Sequence, residues 1–131
     1  VMDLTALRVD VTAALKNGGM RSFEYLGETL NPPCTAVVPA DPYVRWPNGD
    51  GRLAFGQVLV GVDVLLLAGT EAAKSTAALL DNMITQAISI LRPDTGRSFD
   101  VTAVSRPRVV TYSASKFVGA VLTIEEVTEE P

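Results

Sequence analysis

RLAFGQVLVGVDVLLL, residues 52 to 67, is the stretch that decides the fold. Its apolar residues are Leu53, Phe55, Val58, Val60, Val62, Val64 and Leu66. From Val58 to Leu66 the even positions stay apolar. Side chains of a strand alternate between two faces, so this period of two predicts a long strand with one face on a core. Gly56 and Gly61 are the places where such a strand can bend. Asp63 has the opposite parity to Val62 and Val64. It is therefore expected on the other sheet face, toward solvent or a subunit contact; in a core it would need a polar partner. The same run, continued to Ala68, is too short and too interrupted to span a membrane.

Working toward the N-terminus, Pro47-Asn48-Gly49-Asp50-Gly51 signals a tight turn, because Asn-Gly favours the positive φ that hairpins need. Tyr43 to Trp46 alternates, and Cys34 to Pro39 reads as a strand centred on Ala36, Val37 and Val38. Pro39 and Pro42 lack amide donors, so this segment is expected at an edge or at a bend. Ser22 to Leu30 is open between a short strand and a loop, and Asn31-Pro32-Pro33 then forces an extended or turn conformation. Asp3 to Asn17 reads as a helix. Leu4, Leu7, Val11, Ala14 and Leu15 form its stripe, Asp3 can cap it, and Gly18-Gly19 ends it.

Toward the C-terminus, Thr70 to Leu91 predicts a second helix. Its stripe is Leu80, Ile84, Ala87, Ile88 and Leu91, widened by Leu79 and Met83. Ser98 to Val110 and Phe117 to Val127 read as strands joined near Ser113 to Lys116. The order helix, strands, helix, strands predicts an α+β fold. Its expected form is a mostly antiparallel β-sheet with two helices packed on one face, as a single domain over residues 1–131.

Composition narrows the chemistry. The chain has no histidine, which removes the commonest general base, metal ligand and pH switch. Cys34 is the one cysteine, so no internal disulfide can form. Glu125, Glu126, Glu129 and Glu130 account for four of the 15 acidic residues, leaving 11 acidic against 11 basic elsewhere. That balance implies no basic face and argues against tight non-specific DNA binding. The N-terminus shows no basic stretch followed by an apolar one, so no signal peptide is expected.

The candidate motifs are weak. Gly69-Thr70-Glu71-Ala72-Ala73-Lys74-Ser75 follows a strand and opens a helix, but it lacks the second glycine of a phosphate loop and is one residue short. A capped helix start explains it better. Asn48-Gly49-Asp50-Gly51 lacks the later ligands of a calcium loop, so a hairpin turn is preferred. Nothing in the sequence brings any two of Asp41, Asp50 and Asp63 together. Without histidine, Cys34 reads as a buried structural thiol. Ser113, Ser115 and Lys116 read as turn chemistry. No catalytic residue, cofactor or metal site is expected. Tyr43, Arg45, Trp46 and Arg52 flank one hairpin and are of the types enriched at interface hot spots. With Asp63 they are the candidate oligomer or partner interface. An equally open reading has Tyr43 and Trp46 covering the core edge. The acidic end reads as solvated, with partner binding the lesser alternative.

The order of segments carries a resemblance. LTALRVDVTAAL is followed by LNPPCTAVVPADPYVRW, then FGQVLVGVDVLLLAG, AAKSTAALLDNMITQAI and KFVGAVLTIEEV. Over nearly the whole length this resembles the tail terminator proteins of long-tailed, siphovirus-type bacteriophages, and NPPCTAVVPADPYV is the most suggestive part. The resemblance implies a virion protein of the tail or neck, assembled in the host cytoplasm. It implies a ring, usually hexameric, that caps the tail tube, stops its polymerisation and offers a surface to the head connector. The implied partners are other copies of the chain, the tube protein and the head-completion or connector protein. DNA would be only passing cargo, and no membrane is involved. The alternatives are another neck, tail-completion or tube protein, or a small ligand-binding or enzymatic α+β domain.

Overall fold

A computed structural model describes residues 4–23, 32–46, 56–70, 74–92, 99–112 and 115–129. The fold is α+β. The elements run α1 (Leu4–Asn17), β1 (Ser22–Phe23), β2 (Cys34–Arg45), β3 (Gln57–Gly69), α2 (Lys74–Leu91), β4 (Phe99–Val104), β5 (Arg108–Tyr112) and β6 (Ser115–Glu129). The strands form one mostly antiparallel sheet in the order β1-β2-β3-β6-β4, with β5 also paired to β6. Among the described strands only the short β1–β2 pair is parallel.

β3 is the centre, as its alternation predicts. Val60, Val62, Val64, Leu66 and Ala68 enter the main apolar cluster, together with Leu7, Val11 and Leu15 of α1 and Leu80, Met83, Ala87 and Leu91 of α2. Leu65 and Leu67, of the other parity, enter a second cluster with Cys34, Ala36, Val110 and Phe117. Each fully buried Leu or Val contributes about 1.5–3 kcal/mol from apolar surface removed from water.

The end of α1 follows from its glycines. Gly19 has a φ of 93°, a conformation a side chain disfavours. Its amide donates to the Lys16 carbonyl (3.1 Å), and Met20 donates to the Leu15 carbonyl (3.0 Å). These two bonds satisfy carbonyls that the last helical turn would leave open. Met20 and Leu15 both lie in the main cluster.

Four details differ from the sequence expectations. β2 does not stop at Pro39; it continues to Arg45 through a register shift between Pro39 and Val44. The prolines are tolerated because Ala40 to Tyr43 bulge out opposite Gly61, where the ladder is interrupted. The predicted strand from Ser98 to Val110 is two strands, separated by Ser105, Arg106 and Pro107. β6 runs on to Glu129, so Glu125 and Glu126 are half-buried strand residues rather than a solvated end. On α2, Met83 is buried and Leu79 is exposed, which shifts the buried stripe away from Leu79. Asp3, Tyr25, the Pro47–Gly51 turn, Glu71 to Ala73 and Ser113 lie outside the described residues.

Candidate functional site

Three of the five residues expected at an interface, Tyr43, Arg45 and Trp46, lie at the end of β2, but their side chains go to different places. Tyr43 stays half-buried against the main cluster. Its hydroxyl donates to the Leu4 carbonyl at 3.1 Å, tying the β2 bulge to the first turn of α1. Its role here is the core-edge one.

Arg45 turns across the sheet. Its Nε and Nη2 donate to Glu125 Oε2 at 3.1 and 2.8 Å. Arg45 pairs with Leu59 on β3, while Glu125 pairs with Gly61. The guanidinium therefore reaches diagonally over β3 to β6, next to a position with no side chain. Charge-assisted bonds of this length are the stronger class. Glu125 keeps 18% of its side-chain exposure and Arg45 keeps 39%, so water still screens the pair.

Trp46 is the contrast. It belongs to neither apolar cluster, and 56% of its surface is exposed. Arg52 lies outside the described residues. Asp63 stands on the sheet face opposite the main cluster, beside Val38 and Thr123. Thr123 donates its hydroxyl hydrogen bond to Asp63 Oδ1 at 3.1 Å. Burial raises the Asp63 carboxyl above its ordinary pKa, and the Thr123 bond and the positive charge of Arg108 partly offset this. The Cys34 thiol is fully buried and is also pushed up by burial, against a smaller opposing effect of Arg21.

One segment escaped the sequence reading. At the break between β4 and β5, the Ser105 amide donates to the Val121 carbonyl at 2.8 Å. Ser105 Oγ accepts the Val121 amide at 2.9 Å. The side chain thus stands in for a backbone carbonyl, and the chain can turn there without orphaning Val121. Arg106, Pro107, Arg108 and Val109 follow, all exposed, with Val109 at 62%. The signal that could have found them is a proline between two arginines inside a strand pattern.

Among the described residues no group of three or more His, Cys, Asp or Glu is placed to hold a metal ion. Among the same residues no helix is long and apolar enough to cross a membrane. No model of a known protein family matches the chain, and no curated protein matches it.

Proposed function

We propose that this chain is an assembly protein that closes into a ring of its own copies and serves as a phage tail terminator. The ring caps the tail tube, blocks the surface where another tube ring would dock, and presents a joining face to the head connector. Its place is the tail or neck of the virion. The supporting fold has both helices on one face of the sheet. Residues of α1 and α2 share one cluster with one parity of β3, which supports that layering.

The observation that carries self-association is Trp46. A large aromatic side chain left 56% exposed, outside both cores, is the kind of residue that becomes buried in an interface. The terminator assignment rests on the order and composition of the segments described above. The near balance of charge outside the acidic end suits a channel through which DNA slides without sticking.

Light scattering on the purified chain tests the reading. A discrete ring of about six copies is expected, because a closed heterologous contact stops growing when it meets itself. Open-ended polymers would indicate a tube protein instead. Particles made without the chain should show overlong tails lacking heads; normal tails with heads attached would defeat the terminator reading.

A further inference from the structure

We propose that Trp46 of one copy docks on the Arg106–Val109 segment of the next copy. This inference rests on the ring reading and names its joint.

The two patches are chemically matched. The β2 side offers an exposed indole at Trp46, with exposed Asp41 on the same strand. The far side offers two exposed arginines flanking a proline, followed by the exposed Val109. Among the described residues Arg106 is in no ion pair, and Arg108 acts on Asp63 through its charge without a direct ion pair, whereas Arg45 is bound to Glu125. A guanidinium over an indole face is a favourable cation–π contact, and Trp and Arg dominate interface hot spots. Asp41 adds a charge of opposite sign to that of the arginines.

Both sheet edges are also poor at the competing mode, main-chain pairing. Pro39 and Pro42 remove amide donors from β2, where the ladder is already shifted. Pro107 removes one between β4 and β5. Prolines and charges at an edge discourage strand addition, so side chains must make the contact.

The patches cannot meet within one subunit. β3 and β6 separate β2 from β5. Arg45 aligns through Leu59 with Val127 of β6, whereas Arg108 aligns with Gly119. Eight residues of strand and three strand spacings put the patches roughly 30 Å apart. Two unlike, complementary patches that cannot satisfy each other internally are what a closed heterologous ring requires.

Tyr43 and Arg45 are then positioning residues. Beyond the bulge, the described pairings of β2 are Val44–Val60 and Arg45–Leu59. The Tyr43–Leu4 and Arg45–Glu125 bonds clamp this short end, so that Trp46 projects from a fixed base.

The test follows assembly by sedimentation velocity over a concentration series. Trp46 is the only tryptophan, so its fluorescence reports this site directly. Assembly should shift its emission to the blue and protect it from acrylamide. Trp46→Ala, and separately Arg106→Gln with Arg108→Gln, should each weaken assembly roughly 30-fold, the effect of losing a hot spot. Mixed together, the two variants should form a discrete pair, since one joint is restored and every other is dead. Glu125→Gln should weaken assembly less, and the exchange Arg45→Glu with Glu125→Arg should restore it. If the wild type forms rings while Trp46 stays fully quenchable and both variants still assemble, this joint is wrong and the ring reading survives. If the wild type stays monomeric at every concentration, both fall. The fluorescence measurement uses the wild-type chain and holds even where a variant fails to fold.

Discussion

Replacing Gly119 with alanine should destabilise the protein strongly, while the same change at Gly18 should not. Gly119 is buried in β6, between Leu67 of β3 and Arg108 of β5. A β-carbon there would overlap the Leu66 carbonyl oxygen and stand 3.2 Å from Leu67 Cδ2. The obstacle is the backbone of the central strand, at the register shift between Leu67 and Gly69. It can yield only if the β3–β6 ladder moves. Overpacking of this kind costs up to about 3 kcal/mol. Alanine regains about 1 kcal/mol that glycine forfeits in a strand. The net loss is about 2 kcal/mol. For 131 residues, 1 kcal/mol moves the melting temperature by about 4 °C, so a fall of about 8 °C is expected. At Gly18 a β-carbon would meet Ile90, with Cγ1 at 2.6 Å, but this is a flexible side chain at the rim of the core. Moving its rotamer costs about 1 kcal/mol. Reduced freedom of the unfolded chain offsets most of that, so Gly18→Ala should lie within about 1 kcal/mol of wild type. Urea titration and thermal melts read both. Equal losses at the two sites, or a neutral Gly119→Ala, would refute the distinction between backbone and side-chain obstacles.

Three further outcomes are expected. Asp63 has a raised carboxyl pKa in the fold, so its protonated form is favoured at low pH and its contribution is lost as pH rises through the folded value. Asp63→Asn keeps an acceptor for Thr123, and should be more stable than wild type at neutral pH, with the gap closing as pH falls below the ordinary carboxylate range; a gap that widens in acid would contradict the burial effect. Cys34 is fully buried and its thiolate is disfavoured, so iodoacetamide should label it only after unfolding; labelling of the native chain at the rate of a free cysteine would refute this. Ser105→Ala leaves the half-buried Val121 amide without its acceptor and should lower stability by about 1–2 kcal/mol, visible as a lower urea midpoint; no change would mean that water replaces the hydroxyl fully.

The sequence shows β3 plainly, because the face on the main cluster demands an apolar residue at every even position from Val60 to Leu66, while Leu65 and Leu67 on the second cluster lengthen the apolar run. The stripes of the two helices are legible for the same reason, apart from the choice between Leu79 and Met83. Those two residues lie one turn apart on the same flank of the helix, with Met83 nearer the line through Leu80, Ala87 and Leu91, so the burial ends between them. The continuity of β2 is hidden because proline is a reliable strand breaker only where its amide is needed. Here the prolines sit in or beside a bulge, opposite Gly61, where the ladder is interrupted. The division of β4 from β5 is hidden because a hydroxyl, at Ser105, carries a bond that the pattern assigns to the backbone.

The same limit explains why residue type singled out this strand end without telling inward side chains from outward ones. A phenol hydroxyl and a guanidinium suit an interface because they bond well at the edge of apolar surface. Those properties serve equally well inside the subunit, where Tyr43 meets a helix carbonyl and Arg45 meets Glu125. An indole differs, since most of its surface is apolar and it has one donor. At 56% exposure, Trp46 leaves much of that apolar surface in water. Holding its base rigid reduces the entropy lost when a partner covers it. On the proposed ring reading, the inward residues and the outward one form a single device: two clamps on the strand end and one anchor for the neighbouring copy.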